Sequence, residues 1–378
     1  MILIIIFSIK CNLIECNPKL VGYKSFKLEM RDFMATIFSA QTNSIQEFLH
    51  KCLADLKKRV YFDAACFTTV DTETLLSTGA YTDDRIENIH PLLFENEYLR
   101  QDYNHFEDLL TSATHIASLC NATNGELHQS DRFREILSPA GFADELRAVI
   151  IHKGKCYGFL TLLRSKKETV FSNMDIEVLA SLLPPISFNL YKLLAFPQKI
   201  DSDVNWAKSV ILLDEDFHIT SANQEGFLLA DTLRKAENIE ANVLPRPLRA
   251  VCMKAKALNT NNTEEKEAKV CLHPSAGEFL TIHATVLQSE KQQYAVSCQQ
   301  TTPQEILTKT SGYYGLTLRE KQLIFHLLHG DSTKEIAAAL FISPHTVQDH
   351  LKSIFEKTNT TTRGELIWVL LNKYNFSI

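Results

Sequence analysis

The chain has 378 residues, 45% of them hydrophobic and 22% charged, which suffices for two or three domains with separate cores. This composition excludes a small disulfide-stapled scaffold and a disordered tail protein. The formal net charge of −6 also excludes a polybasic chain that attracts nucleic acid or anionic membranes in bulk. Any nucleic-acid site must therefore be local.

An apolar stretch, Met1–Phe7, opens the sequence, but it is much shorter than the roughly 20 residues of a membrane-spanning helix. No basic segment precedes it and no small-residue cleavage site follows it, so we predict neither an export signal nor a membrane anchor. Translation could also begin at Met30 or Met34, and we treat residues 1–34 as an extension without a functional role. Nine cysteines without a C-x-x-C pair fit a reducing, cytoplasmic compartment.

Residues 35–197 alternate between strand and helix patterns. Helical spacing occurs near residue 45 and again from residue 176, and Lys153-Gly154 separates two apolar runs as the turn of a hairpin would. The predicted strands are 64–70, 75–81, 146–152 and 155–163. We predict an α+β domain with an antiparallel sheet.

Residues 204–300 predict a second α+β unit of the same kind. Its predicted helices lie near 226–235 and 248–258. Its predicted strands are 209–213, 217–221, 268–272, 279–287 and 294–298. The polar run 299–303 reads as a linker to the last segment.

The last segment, 311–378, predicts an all-α module of four helices. Three capping boxes mark helix starts, because a hydroxyl and a carboxylate three residues later satisfy the free N–H groups of a first turn. These boxes are Thr317/Glu320, Ser332/Glu335 and Thr362/Glu365. Ser343-Pro344 marks another start and Gly330 a helix end. The predicted apolar face of the second helix is Ile336, Ala337, Leu340 and Phe341.

The third predicted helix carries two distinct faces. Val347, Leu351, Ile354 and Phe355 form an apolar stripe at helical spacing. Polar side chains form a continuous ridge on the opposite face of this helix. They are His345, Gln348, Asp349, Lys352 and Glu356. Two helices joined by a short turn, the second with such a ridge, indicate a helix-turn-helix that lays its second helix in the DNA major groove.

Five motifs in this segment resemble the LuxR-type helix-turn-helix in order and spacing. They are Leu316-Thr-Leu-Arg-Glu320, Lys334-Glu-Ile-Ala337, Ile342-Ser-Pro-His-Thr-Val347, Asp349-His-Leu-Lys352 and Thr362-Arg-Gly-Glu-Leu366. The resemblance implies double-stranded DNA as a partner, with Gln348, Asp349 and Lys352 reaching base edges. It places Lys334, Ser343, Thr346 and His350 where the family contacts phosphates or seats the helix. It also implies a homodimer that pairs through helix 363–374. Many members have Lys where Gln348 stands.

This module carries little net positive charge with which to attract DNA. Residues 311–378 contain seven basic and six acidic side chains, a net charge of +1. Each missing Lys or Arg removes a released counterion and the affinity that it supplies. We therefore predict weak DNA binding by the isolated module and a need for dimerisation.

The preceding regions carry looser resemblances. Residues 98–164 are similar to the GAF-like sensor half of large LuxR-type regulators, through Tyr98–Phe106, Ser130–Arg134, Gly141–Arg147 and Cys156–Leu160. Residues 205–300, with Leu213–Asn223, resemble a PAS-type module. These resemblances imply a sensor region that binds a small-molecule effector or serves dimerisation.

Other chemistry finds little support in the sequence. His152 with Cys156, and Cys271 with His273, lack the further ligands of a zinc site. Cys66, Cys120 and Cys156 act as redox sensors only if they are exposed with a lowered pKa, and core packing is the simpler interpretation. Asp214–Asp216 suits a solvated turn better than a phosphoacceptor strand. No common catalytic motif occurs, so we predict no cofactor and no enzyme, leaving an enzymatic N-terminal half or a protein-binding adaptor as alternatives.

Overall fold

The computed structural model describes residues 44–166, 168–195, 206–261, 267–272, 279–288 and 291–371. These residues belong to one compact unit. The predicted extension 1–34, the proposed boundary between 197 and 204, His273 and the end of the last predicted helix lie outside the described residues.

Module 1, residues 45–195, is an α+β unit. Its strands are β1 (Ala64–Val70), β2 (Ser77–Thr82), β3 (Ile116–Ser118), β4 (Phe142–His152) and β5 (Lys155–Ser165). Its helices are α1 (Ile45–Lys57), α2 (Asp84–Glu87), α3 (His90–Leu99), α4 (Phe106–Thr111), α5 (Leu119–Ala122) and α6 (Asn173–Ala195). The strands form an antiparallel sheet in the order β2-β1-β5-β4-β3. The predicted hairpin is present, because β4 pairs with β5 across Lys153 and Gly154, both with positive φ.

Helix α6 is a core helix of module 1. By length and composition alone it could cross a membrane. In the structure it packs on the sheet and on α1, and Leu179, Leu182 and Leu190 are fully buried. Gly158 on β5 permits this approach, since a Cβ there would lie 3.2 Å from Leu190 and 2.7 Å from the Thr68 carbonyl oxygen. Packing against the sheet therefore accounts for the hydrophobicity of α6.

Module 2, residues 206–300, repeats the same architecture. Its strands are β6 (Val210–Leu213), β7 (Ile219–Ala222), β8 (Ala268–Leu272), β9 (Leu280–Leu287) and β10 (Gln293–Gln300), and its helices are α7 (Gln224–Glu237) and α8 (Arg246–Asn261). The sheet order is β7-β6-β10-β9-β8, the same second-first-fifth-fourth-third order as in module 1. The predicted fold class of two antiparallel α+β modules is confirmed. The two modules share this topology although the sequence shows no internal repeat.

The turn before β7 corrects one strand boundary. Phe217, predicted as the start of that strand, has a φ of 64° and lies in the turn. The Asp214 carboxylate accepts hydrogen bonds from the backbone N–H groups of Asp216 (3.0 Å) and His218 (2.8 Å). The acidic run is thus a solvated turn, as predicted, because its carboxylate is used to close the backbone.

Helix α8 joins the two modules. It packs on β8 and β9 of module 2 and also on β2 and α3 of module 1. Two of its arginines bind one carboxylate of α2, with Arg246 Nη2 2.5 Å and Arg249 Nη2 2.8 Å from the Glu87 oxygens. Leu76 of module 1 is buried in the core of module 2. The two modules therefore share apolar and ionic contacts.

A further helix, α9 (Pro303–Tyr313), follows the predicted linker 299–303 and overlaps it at Pro303. Thr302 caps it, since its hydroxyl accepts from the Glu305 N–H while the Glu305 carboxylate accepts from Thr302. This capping box and the proline at the first helical position were readable in the sequence. The linker prediction is therefore wrong at Thr302 and Pro303, because these two residues form the start of α9.

Helix α9 contacts all three parts of the chain. Lys309 forms a buried ion pair with Asp71 of module 1, and the Tyr191 hydroxyl donates to the Tyr313 carbonyl (2.7 Å). Lys269 of module 2 lies 3.2 Å from Glu305. The helix also contributes Leu307 to the core of the last module.

Module 3, residues 316–371, is the predicted all-α module. Its helices are α10 (Leu318–Leu328), α11 (Thr333–Ala339), α12 (Pro344–Thr358) and α13 (Arg363–Leu371). One apolar core joins them, formed by side chains that share near-zero exposure, among them Leu323, Ile324, Ile336, Val347, Ile354 and Leu366. Gly330 has a φ of 84° just after α10, as a helix end requires.

Candidate nucleic-acid interface

The start of α10 fixes the position of α12. The predicted capping box at Thr317 and Glu320 is formed. The Glu320 carboxylate also accepts from Lys357 (2.7 Å) and from the Ser353 hydroxyl (2.7 Å), both on α12. Although burial raises the pKa of Glu320, hydrogen bonds from Lys357, the Thr317 N–H and Ser353 lower it to about 2. The link across 37 residues could not be predicted from the capping motif.

The turn between α11 and α12 corrects the predicted apolar face of α11. Leu340 is buried, but Phe341 is 94% exposed with a φ of 55°. Helix α11 has ended by then, and the left-handed backbone turns Phe341 outward, while the Ile342 N–H donates to the Ala337 carbonyl oxygen (3.0 Å). Extending the helical periodicity past the helix end placed Phe341 wrongly.

Helix α12 begins where Ser343-Pro344 predicts a helix start. The Ser343 hydroxyl accepts from the Thr346 N–H at 3.1 Å and Pro344 occupies the first turn, while Asn359 takes a left-handed conformation at the end. The capping bond satisfies one of the N–H groups that a helix start leaves free. The 15 residues of the helix make it the longest in module 3.

The two faces of α12 differ as predicted. Val347, Leu351 and Ile354 are buried against α10 and α11, which turns the opposite face outward. The predicted ridge residues are all exposed, namely His345, Gln348, Asp349, Lys352 and Glu356. His345 Nε2 lies 4.0 Å from the Asp349 carboxylate. The ridge is thus a hydrogen-bonding surface on a helix whose back is locked to its neighbours.

The remaining predicted site residues occupy positions around the ridge. Lys334 is exposed on α11, one helix away. Ser343 and Thr346 share a hydroxyl hydrogen bond of 2.9 Å in addition to the cap, so their side chains order the start of α12. His350 is half-buried. The structure therefore gathers these residues on and beside one helix, and their contacts with DNA stay predictions.

Helix α13 differs slightly from its prediction. The Thr362 hydroxyl accepts from the Glu365 N–H (3.1 Å), but the Glu365 carboxylate accepts from Thr361, through N–H (2.7 Å) and hydroxyl (2.8 Å). The box is therefore wider by one residue. Trp368 is 60% exposed on this helix, and Arg363 donates to the Thr333 hydroxyl (2.6 Å).

The candidate redox and metal residues of the other modules behave as packing residues. Cys66 and Cys156 are buried, and burial raises the pKa of Cys156 to about 12. Burial also raises the pKa of the half-buried Cys120. A reactive thiolate needs the opposite shift. Among the described residues, no group of three His, Cys, Asp or Glu side chains is arranged to hold a metal ion.

Comparison with known proteins matches the last module to one family. Residues 315–370 match the family described as "Bacterial regulatory proteins, luxR family". The spore germination protein GerE of Bacillus subtilis is 38% identical over 56 residues, 15% of this chain and 76% of that protein. The uncharacterized transcriptional regulatory protein YhcZ of the same organism is 32% identical over 126 residues, 32% of this chain. The chain spans only 53% of YhcZ.

Solved structures show a looser likeness. Escherichia coli SdiA covers 91% of this chain, with 96% of its own length matched, at 11% identity and a TM-score of 0.33. The GAF domain of a sensor histidine kinase from Bacillus halodurans covers 42% of this chain over its whole length, at 16% identity and a TM-score of 0.30.

Proposed function

The chain belongs to the luxR family of bacterial regulatory proteins, as a transcriptional regulator with a C-terminal helix-turn-helix, and we propose that it binds specific double-stranded DNA sequences. Helix α12 lies in the major groove in this proposal, with its ridge toward the bases. The observation that supports it is the exposed ridge on a helix held rigidly by Glu320. A rigid helix with free hydrogen-bonding side chains is the form in which such proteins read bases.

The chemistry of the ridge favours particular bases. Gln348 carries the amide that pairs with adenine through N6 and N7, and Asp349 offers an acceptor to the cytosine amino group. Lys352 supplies a donor to guanine or to a phosphate. In this proposal Lys334, Ser343, Thr346, His345 and His350 set the helix on the backbone, together with the free N–H groups at the start of α12.

The small net positive charge of residues 311–378 favours a homodimer. Lys357 is committed to Glu320, and the ridge itself holds Asp349 and Glu356 against Lys352. Few counterions are then released by one module, so two half-sites are needed for useful affinity. Trp368, exposed on α13, is the apolar side chain best placed for pairing. The expected protein is cytoplasmic and dimeric.

Modules 1 and 2 control the DNA-binding module in this proposal. Several of their contacts with module 3 run through α9, by way of Asp71, Tyr191 and Lys269. A change of shape in either module therefore reaches α9 directly. A small-molecule effector that shifts this equilibrium would change DNA affinity by its differential binding to the two states.

The test is selection of bound duplexes from a random library by the full chain and its variants. We expect Lys352→Ala or Thr346→Ala to weaken binding to the selected operator. Gln348→Ala should relax the base preference at one position by about 1–3 kcal/mol, more than it lowers total affinity. Gln322→Ala, an exposed glutamine on α10, is the matched control. An unchanged preferred sequence in Gln348→Ala would contradict the assigned ridge.

Two other outcomes would replace the proposal. A protein-binding adaptor, which the +1 charge of residues 311–378 favours, would select no sequence at all. An enzyme would turn over small molecules without DNA. A salt titration of module 3 that showed tight binding with many phosphate contacts would contradict the predicted weak footprint.

A further inference from the structure

A cavity of about 520 Å³ lies between module 1 and helix α8 of module 2. One wall is the β1–β2 turn, residues 74–76, and a second is formed by α3, α4 and the loop between them. The third wall is α8, through Lys254, Ala257 and Leu258. Its size is within the range of small-molecule sites, and clefts between domains are a common place for them.

Apolar and aromatic side chains form part of the inner surface of the cavity. Leu75, Leu76 and Phe159 line it together with Phe106. Phe106 and Phe159 stack nearly in parallel, with centroids 4.1 Å apart, and the Arg147 guanidinium lies over the Phe106 ring at 4.6 Å. The protein thus already places a cation against this aromatic pair.

Two carboxylates of the lining are already used within module 1. Glu97 lies 2.6 Å from Arg147, and Asp102 accepts from the Arg132 N–H at 2.6 Å. Although burial raises the pKa of Glu97, Arg147 lowers it well below its usual range. The carboxylates of Glu97 and Asp102 are therefore held in fixed positions beside the cavity.

Two further carboxylates, Glu107 and Asp108, are exposed in the first turn of α4. Neither side chain forms a hydrogen bond or ion pair with another described residue. The cationic side chains of the lining are Arg100, which binds Glu95 and Glu135, and Lys254 on the opposite wall. The available charge around the mouth is therefore mainly negative.

We propose that this cavity binds a small organic cation with an aromatic or aliphatic part. The ammonium group lies toward Glu107 and Asp108, and the apolar part contacts Phe159, Leu75 and Leu258. Apolar surface supplies affinity, and the carboxylates supply the preference for a positive charge. The inference names an effector class and rests on the proposed function only for its regulatory consequence.

The same turn that walls the cavity also holds α9. Leu75, with a φ of 60°, donates its N–H to the Asp71 carbonyl, and the Asp71 N–H donates to Leu76. The Asp71 side chain forms the ion pair with Lys309 and accepts from the Cys271 N–H (2.9 Å). A ligand pressed against Leu75 therefore acts within a few residues of the contact that fixes α9.

Calorimetric titration of the full chain with three probes of one shape tests the binding site. The probes are phenethylammonium, neutral 2-phenylethanol and anionic phenylacetate. We expect the cation to bind about tenfold more tightly than the alcohol, and phenylacetate to bind most weakly. The double variant E107Q/D108N, altered only at exposed positions, should bring the cation to the affinity of the alcohol.

Two further variants complete the test. Ala257→Trp fills the cavity and should abolish binding of all three probes, with circular dichroism as the check on folding. Asp231→Asn, an exposed carboxylate on α7 away from the cavity, should change nothing. Equal affinities for cation and alcohol, cation binding unchanged in E107Q/D108N, or no binding at millimolar probe would each overturn the proposal.

Hydrogen exchange of residues 303–313 tests the link to α9 without DNA. Saturating phenethylammonium should change their exchange by about fivefold in the wild type and not in E107Q/D108N. An unchanged rate would refute the link. Since neither readout contains DNA, failure here is separate from failure of duplex selection, which concerns the proposed function alone.

Discussion

Replacing Lys309 by methionine removes the cation that ties α9 to module 1. Lys309 is 8% exposed and its partner Asp71 is 4% exposed, so the substitution leaves a buried carboxylate without its counter-charge. Burial alone would lower the pKa of Lys309, but Cys271 and Asp71 raise it, as expected for an ammonium group stabilised by its surroundings. Losing one partner of a buried pair costs about 3–5 kcal/mol.

The structure favours the lower end of that range. Asp71 keeps two backbone donors, the N–H groups of Cys271 (2.9 Å) and Glu73 (3.0 Å), which continue to stabilise its charge. We therefore expect Lys309→Met to lower the free energy of unfolding by about 3 kcal/mol. The double variant D71N/K309M removes both charges. Because the two N–H groups bond different oxygens of Asp71 and asparagine has only one, it keeps an acceptor for one of them and should recover about 1 kcal/mol of that loss.

Urea unfolding of the full chain measures both values, and hydrogen exchange of residues 303–313 localises them to α9. Lys208→Met, an exposed lysine in module 2, is the matched control and should have almost no effect. The reasoning fails if Lys309→Met is no worse than this control. It also fails if the double variant costs as much as the two single changes together.

Three further changes probe the rest of the fold. Glu320→Ala should lower the unfolding free energy of module 3 by about 2–3 kcal/mol. Because the pKa of Glu320 in the folded protein is lowered to about 2, the stabilisation by its carboxylate should be present above pH 4.5 and lost as the pH falls toward 2. Glu237 behaves oppositely, because burial raises its pKa to about 7 despite Arg246. Unfolding free energy should fall as the pH rises from 4.5 to 7, and Glu237→Gln should flatten that profile in urea titrations. Gly158→Ala should destabilise module 1 by about 2 kcal/mol in thermal melts through its 2.7 Å clash with Thr68, whereas Gly364→Ala, in open space on α13, should be neutral or stabilising.

Local signals made module 3 predictable. Capping boxes at Thr317 and Ser332 each lie within four residues, and the stripe on α12 repeats at helical spacing, so no distant contact is needed to infer them. The same kind of signal was present at Thr302 for α9. The prediction that Phe341 lies on the buried face of α11 is wrong, because helical periodicity in a sequence does not show where the backbone leaves the helix.

Contacts between distant residues were not predictable in this way. Lys309 and Asp71 are 238 positions apart, and each occurs in an unremarkable polar run. Arg246 and Glu87 are similarly separated, by 159 positions, although they join two modules. Residue type shows that such a group needs a partner when buried, but only the packing of the sheets decides which one it receives. The candidate cavity depends on the same packing, since its walls come from both modules.

The number of contacts on α9 limits how an effector could act. Freeing the helix would break the Asp71–Lys309 pair, at about 3 kcal/mol, and the Tyr191–Tyr313 hydrogen bond, at about 1 kcal/mol. It would also expose Leu307, which is buried in module 3. Allosteric coupling between sites is typically about 1–3 kcal/mol, which is less than this sum. A small ligand is therefore expected to move α9 between two docked positions without releasing module 3.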